Sequence, residues 1–469
     1  MTTEYVLPEI SAARGLPLAE SEMLRDLVTV WRRKLSRNVL RRRYYECHNR
    51  LKDLGISIPP SLHNVETAVG WPAKAVDSLA ARSRFDGFAA GDRDTLSMVR
   101  KIADDNMVDM LYRGAVNGEL VNSVAFFSVS MGGPGEPDVV ISTYGAEEAS
   151  AIWDRRRKRL RCGMAIVDVE ERPSLGTCEP SAVCLYTDDA VWEVQKYGGR
   201  WIAWKNEHAM GRPTLEAMAH TPVYPGRPFG RSRISRAVMS ITDSAVREAL
   251  RSEISAEFFT SPQKYLLGAD DGIFESKTKW DAYIGSIFAI GVNEDGDVPQ
   301  FGQLQQGSMQ PHVDYMRALA ARFSGETDVP ISELGVIHDN PSSAEAIYAA
   351  KEALVCRAQD LNAGNARALE NVARMSLAAV LDVPLAGVGE LVGDVAAVFR
   401  SPAMPSAASQ ADSAVKIASV APWYAETDEF LEDLGYDERR RRSMQSQRRR
   451  SEAMGALALI AGDGDGAAE

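Results

Sequence analysis

The chain has 469 residues, 45% of them hydrophobic and 25% charged, with a formal net charge of −12. At about 150 residues per domain this length corresponds to roughly three folding units, which can bury a sizeable core without disulfides or metals. The acidic balance argues against a protein that grips nucleic acid over a broad basic face, because phosphate neutralisation needs clustered Lys and Arg; it is compatible with a wall that repels phosphate and lets DNA slide past. The five cysteines, Cys47, Cys162, Cys178, Cys184 and Cys356, are odd in number, irregularly spaced and form no CxxC pair. They read as reduced thiols, and Cys162, Cys178 and Cys184 as small side chains in strands in preference to a metal set. The opening MTTEYVLPEI has neither a basic nor an apolar signal region, and the longest apolar stretch, 376–399, is interrupted by Asp382, Pro384, Glu390 and Asp394. Neither a signal peptide nor a membrane span is predicted, and the chain reads as soluble.

Residues 18–54 place Leu24, Leu27, Val28, Trp31 and Leu35 on one helical face, and Gly55 closes that helix. Arg32, Arg33, Lys34, Arg37 and Arg41 to Arg43 cluster on it, either as a solvated face or as a contact for DNA or an acidic partner. A second helix over 71–85 opens on Pro72 at a tolerated first-turn position, and a third over 93–117 stops before Gly118. From 120 to 230 the pattern turns to mainly antiparallel β, with strands at 121–130, 139–144, 164–169, 182–186, 190–196 and 200–203, a hairpin turn at Gly198-Gly199 and one helix at 146–153. Pro222, Pro225 and Pro228 stiffen the link to a long helix over 231–260. Ile234, Val238, Ile241, Ala245 and Ala249 form its stripe, and its length is about 40 Å.

A mixed segment over 263–308 follows, with short strands at 264–267 and 285–292. A helix over 309–324 has Val313, Met316, Ala320 and Phe323 on one face, and residues 325–341 break the helical pattern. Ser342-Ser343-Ala344-Glu345 reads as a capping box that opens an Ala-rich helix reaching 381, interrupted at Gly364. A loop and an apolar helix are expected over 384–399, a group of helices over 407–455, and a loose end from Gly462.

Signals of catalysis are missing. There is no GxxxxGK[ST] phosphate loop, and without one the strand from Met164 to Glu170 is an ordinary strand despite its terminal carboxylates. The run from Gly387 to Gly393 has one residue too many for GxGxxG and follows a helix. HExxH and GxSxG are absent, and His48, His63, His208, His220, His312 and His338 are scattered. The expectation is a protein that is not an enzyme and holds no cofactor or metal.

Several segments, in consistent order, resemble the portal proteins of tailed phages, in the branch common among phages of actinobacteria. They are Tyr44-Tyr45 through Leu51, Gly55 and Pro59; Val69-Gly70-Trp71-Pro72 through Arg82 and Phe85-Asp86-Gly87-Phe88; and Gly230-Arg231-Ser232-Arg233-Ile234 through Asp243, Glu257-Phe258 and Pro262-Gln263. To these are added Tyr315 to Phe323 with Val329-Pro330 and Ser342 to Ala346, and Trp423 with Leu434-Gly435-Tyr436. The Arg-rich tail and residues 1–20 fall outside this pattern.

The resemblance implies an α+β, mainly helical fold with wing, stem, clip and crown around a central channel, assembled as a ring of about twelve subunits. Residues 1–230 would form N-terminal helices and a mixed β wing, 231–260 and 309–324 the two stem helices, and 261–308 the clip. Residues 325–341 would form a tunnel loop, 342–399 a long wing helix and its following segment, and 400–469 a helical crown and tail. In the tunnel loop Thr327, Asp328, Val329, Pro330, Ile331, Glu333, His338, Asp339 and Asn340 would line the DNA channel. Asp328, Glu333 and Asp339 would prevent tight adhesion, and Val329, Pro330 and Ile331 would give a stiff apolar contact.

Arg439, Arg440, Arg441, Arg442, Arg448, Arg449 and Arg450 are candidate contacts for DNA or a partner. The implied partners are further copies of the chain, double-stranded DNA, the terminase large subunit that supplies packaging work, a head-tail adaptor, the major capsid protein and scaffold. No membrane is implied; the location is the virion's portal vertex, with the host cytoplasm during assembly. The alternatives are another head structural or adaptor protein, or a soluble enzyme whose site is dispersed along the chain.

Overall fold

The computed structural model describes residues 4–5, 10, 13–49, 67–172, 177–260, 264–267, 298, 300–303, 307–335, 344–403, 407–436 and 438–462. These fall into two units, Met1–Pro402 and Ala403–Glu469.

The first unit opens with β1 (Glu4–Tyr5), α1 (Leu18–Tyr45), α2 (Trp71–Ala80), β2 (Phe85–Ala90), α3 (Arg93–Asp105) and α4 (Val108–Asn122). Eight strands follow: β3 (Val124–Met131), β4 (Val139–Gly145), β5 (Ala149–Asp154), β6 (Arg159–Arg172), β7 (Thr177–Tyr186), β8 (Ala190–Tyr197), β9 (Arg200–Glu207) and β10 (Leu215–Ala219). Then come α5 (Arg236–Thr260), β11 (Lys264–Leu267), β12 (Gln300–Gln303), α6 (Gln310–Thr327), α7 (Ala344–Leu381), α8 (Leu385–Leu391) and β13 (Val395–Phe399). The result is a mixed fold, mainly helical, as the sequence implied.

β5 to β9 form an antiparallel meander, with β1 parallel beside β7. Strand alternation sends side chains to opposite faces, and both faces are used. Cys162, Met164, Ile166, Val183 and Leu185 meet Leu24, Leu27, Val28 and Trp31 of α1. On the other face Leu160, Ala165, Cys184 and Tyr186 meet Phe126 and Leu215 of the β10-β3-β4 sheet. The larger core packs α2, α4, α5, α6 and α7 against β3, β4 and the β2-β13 pair. Each fully buried Leu, Val or Phe in it contributes about 1.5–3 kcal/mol. Cys162, Cys178 and Cys184 are buried strand residues, and burial pushes the Cys162 thiol up to about 11.

The structure corrects several sequence expectations. α1 ends at Tyr45, well before Gly55, where Cys47 takes a left-handed φ of 60°. The helix expected over 71–85 stops at Ala80. The helix expected over 93–117 is two helices, broken where the Asn106 side chain donates to the Val139 carbonyl and accepts from the Ile141 N–H at 2.8 Å. The helix expected at 146–153 is a turn at 146–148 followed by β5. Its alanines and the facing Gly163 and Ala165 form a shallow floor, and a Cβ on Gly163 would lie 2.4 Å from Leu215. A short strand there satisfies packing that a helix would block.

The long helix α7 runs through Gly364 without a break. The apolar helix expected within 384–399 is only α8, followed by β13, which pairs with β2. β10 was not expected. The strand predicted at 285–292 and the capping pair Ser342-Ser343 lie outside the described residues.

The second unit contains α9 (Ala407–Val420), a 3-10 turn (Pro422–Glu426), α10 (Asp428–Asp433) and α11 (Glu438–Gly462), the group of helices read from sequence. Among the described residues no single helix is long and apolar enough to cross a membrane.

Candidate functional site

The element that organises the site is a helix pair. α5 buries Val238, Ile241, Ala245, Val246 and Leu250, and α6 buries Leu319, Ala320 and Phe323. The two run antiparallel: Ser235 donates to Glu326 at 3.0 Å near one end, and His312 Nε2 lies 3.0 Å from Ser255 Oγ near the other. Between these, Glu248, 5% exposed, meets His312 Nδ1 at 2.6 Å. Just past α5 and just before α6, β11 and β12 pair antiparallel, Lys264 opposite Gln303 and Leu267 opposite Gln300. The chain therefore leaves along one helix, makes an insertion gathered at its neck by two strands, and returns along the other. The start of α6 is sparsely packed, with Val313 44% and Tyr315 45% exposed.

α6 ends at Thr327, whose Oγ1 donates to the Phe323 carbonyl at 2.8 Å. Asp328 caps it with a left-handed φ of 57° and pairs with Arg357 of α7 at 3.1 Å. Val329 is fully buried and Pro330 is buried in this chain's own core. Glu333 is held by Lys74 of α2 at 3.2 Å and Lys351 of α7 at 3.9 Å. Trp71 Nε1 donates to the Leu334 carbonyl at 3.2 Å, and its ring packs 5.4 Å from Phe323. Arg233, just before α5, donates to the carbonyls of Ala75 and Thr327, and burial lowers it to about 10.

The first half of the segment expected as a tunnel loop is thus bound to α2, to Arg233 ahead of α5 and to α7. Of the apolar contact expected for Val329, Pro330 and Ile331, only the half-buried Ile331 remains available; the other two are occupied inside the subunit. His338, Asp339 and Asn340 lie outside the described residues. The anchors Trp71, Lys74, Arg233, Lys351 and Arg357 were not singled out from sequence as site residues. The signal was available in part, because Trp71-Pro72 and Arg233 sit in the stretches that carry the resemblance.

In the second unit the Arg-rich segment lies on α11. Arg440 stacks over Tyr436 with 5.2 Å to the ring centre, Arg448 pairs with Glu426 at 3.4 Å, and Arg441 is buried. Arg449 and Arg450 are exposed. Nothing is described of the Arg439 and Arg442 side chains. Among the described residues no group of three or more His, Cys, Asp or Glu is placed to hold a metal.

In the described residues two antiparallel helices bracket an insertion and adjoin a mixed β region. No family model matches the chain. Over 430 residues it is 26% identical to the portal protein of Mycobacterium phage D29 and 24% identical to that of Mycobacterium phage L5, covering 88% of this chain and 85% of each relative. These relatives support a phage portal protein, and the resemblance read from the sequence is borne out. Among solved structures it is similar to a chain of the virion of a native gene transfer agent particle, at a TM-score of 0.41 and 12% identity, covering 78% of this chain and 90% of that one. A chain from the neck of the same type of particle, computed with C12 symmetry, matches at a TM-score of 0.39 and 10% identity over the same shares.

Proposed function

We propose that this chain is the subunit of a portal ring, located in the virion, through which double-stranded DNA is packaged and ejected. The observation that carries the reading is the α5/α6 pair with its necked insertion, in a chain similar to curated portal proteins over most of its length. In this reading α5 and α6 are the stem, 261–309 the clip, α1 to β10 the wing, α7 the long wing helix and 403–469 the crown. The clip would receive the packaging ATPase (the terminase large subunit) and later the head-tail adaptor; the wing would meet capsid protein and scaffold. The subunit itself supplies geometry and no chemistry. Assembly would take place in the host cytoplasm.

The anchored stretch 327–335 acts as the root of the tunnel segment and leaves 336–340, with His338, Asp339 and Asn340, to face DNA. Translocation needs weak contacts that are remade repeatedly, since a tight phosphate site would stop movement. Asp328 and Glu333 are committed to Arg357, Lys74 and Lys351, so their first task is to hold the root. Replacing 336–340 by a glycine-serine link is expected to leave ring assembly intact and to impair DNA packaging or retention. Normal genome content in particles built with that variant would overturn the tunnel assignment. Replacing Arg449 and Arg450 by Ser tests the tail, with altered head assembly or genome content expected.

A further inference from the structure

The second half of α1 is basic in a chain that is acidic overall. At 100° per residue, Arg33, Lys34, Arg37 and Arg41 occupy about 100° of the helix circumference over about 12 Å. None of the four has an ion pair with a carboxylate among the described residues; Arg42 beside them takes Glu147 at 3.0 Å and Glu46 at 4.0 Å. The four cations press on one another. Burial, then Arg37, Arg33 and Arg41, hold Lys34 below the usual ammonium range. Burial and Arg37 lower Arg41 to about 10. The Arg41 Nε is buried without a partner, and its Nη1 reaches only the Asn122 carbonyl at 3.4 Å. Like charges four apart on a helix are destabilising, and a desolvated guanidinium without a carboxylate adds to that cost.

We propose that this stripe is a docking surface for the phosphate backbone of duplex DNA. Along 12 Å of axis a duplex presents about seven phosphates, ample for four cations. Three of the four are arginines, whose planar fork suits phosphate oxygens. A protein partner would need buried apolar anchors, and among the described residues beside the stripe the exposed large hydrophobic is Leu40 alone, at 44%. The inference rests on the charges of this chain and not on the portal reading, and its failure leaves that reading standing.

The test uses the full-length protein and its Arg33→Gln/Lys34→Gln/Arg37→Gln variant, which spares the part-buried Arg41. Binding to a duplex of about 30 base pairs is followed by fluorescence anisotropy between about 50 and 200 mM salt. At about 0.9 per neutralised phosphate, the log–log salt slope of the variant should be shallower by about 2.7, so that wild-type affinity falls about fortyfold further across that range. The melting temperature of the variant should hold or rise, because repulsion is relieved. The single Arg37→Gln variant should change the slope by about 0.9, which keeps the test open should the triple variant fold poorly. Equal slopes would overturn the proposal. Binding of polyglutamate as tightly as duplex would overturn it in favour of an acidic protein partner.

Discussion

Glu119 lies fully buried on α4 and accepts from the Asn365 amide of α7 at 2.9 Å; Asn365 also donates to Tyr112 Oη at 3.0 Å, and Ser83 joins Tyr112 and Asn362. Burial pushes the Glu119 carboxyl up to about 8, so it holds its proton at neutral pH. An unfolded chain loses that proton near pH 4.3. The native state therefore binds the extra proton between those values. The contribution to stability is fully present below about pH 4.3 and is lost as pH rises to about 8. Glu119→Gln, fixed neutral and still an acceptor for Asn365, should melt close to wild type at pH 5 and several degrees higher at pH 8. A shift of equal size at both pH values would contradict this account. Gly230 is a second such position: its φ is +65°, and an added Cβ would stand 2.0 Å from the His220 carbonyl oxygen. Gly230→Ala should cost more than about 2 kcal/mol in urea unfolding. The glycine was visible in the sequence; the Glu119–Asn365 pair was not, because its members are 246 residues apart.

At the scale of elements, periodicity was a good guide wherever one face is buried along the whole element. α1, α5, α6 and α7 carry their apolar residues at helical spacing, and β4, β7 and β8 read as strands. Periodicity failed where a single contact decided the outcome. Asn106 broke a helix by bridging to β4, and the need for small residues beneath Leu215 turned an Ala-rich stretch into β5. The α5/α6 pair supplies its own test. His312→Ala would leave the buried Glu248 without the imidazole 2.6 Å away, at a cost of about 3 kcal/mol. The double variant with Glu248→Ala should cost less than the two single changes together, as denaturant unfolding would show. Additive costs would mean that the pair does not couple the helices. For the anchored stretch 327–335, Glu333→Gln should raise amide exchange over 328–335 with little change in global melting. Unchanged exchange there would show that the lysine contacts do not hold the segment.

For the whole molecule, composition and order carried the functional class. The chain shows no nucleotide or metal motif, and its segments follow the order of portal proteins. The site itself was only partly legible, because the anchors of 327–335 come from α2, from Arg233 ahead of α5 and from α7, which meet only in the fold. In the proposed ring of about twelve subunits, a net charge of −12 each would sum to roughly −140, a field that would disfavour adhesion of DNA to a channel wall. The basic stripe on α1 would then be a local exception in an acidic ring. Head-to-tail contacts between identical subunits close into a ring only when the rotation per step divides the circle. Electron-microscope images of the purified full-length protein test this most directly. The account predicts closed rings with an axial bore wide enough for a duplex and lined by the segment that follows α6. Solitary globules at every concentration, or rings whose bore is lined by other segments, would contradict it.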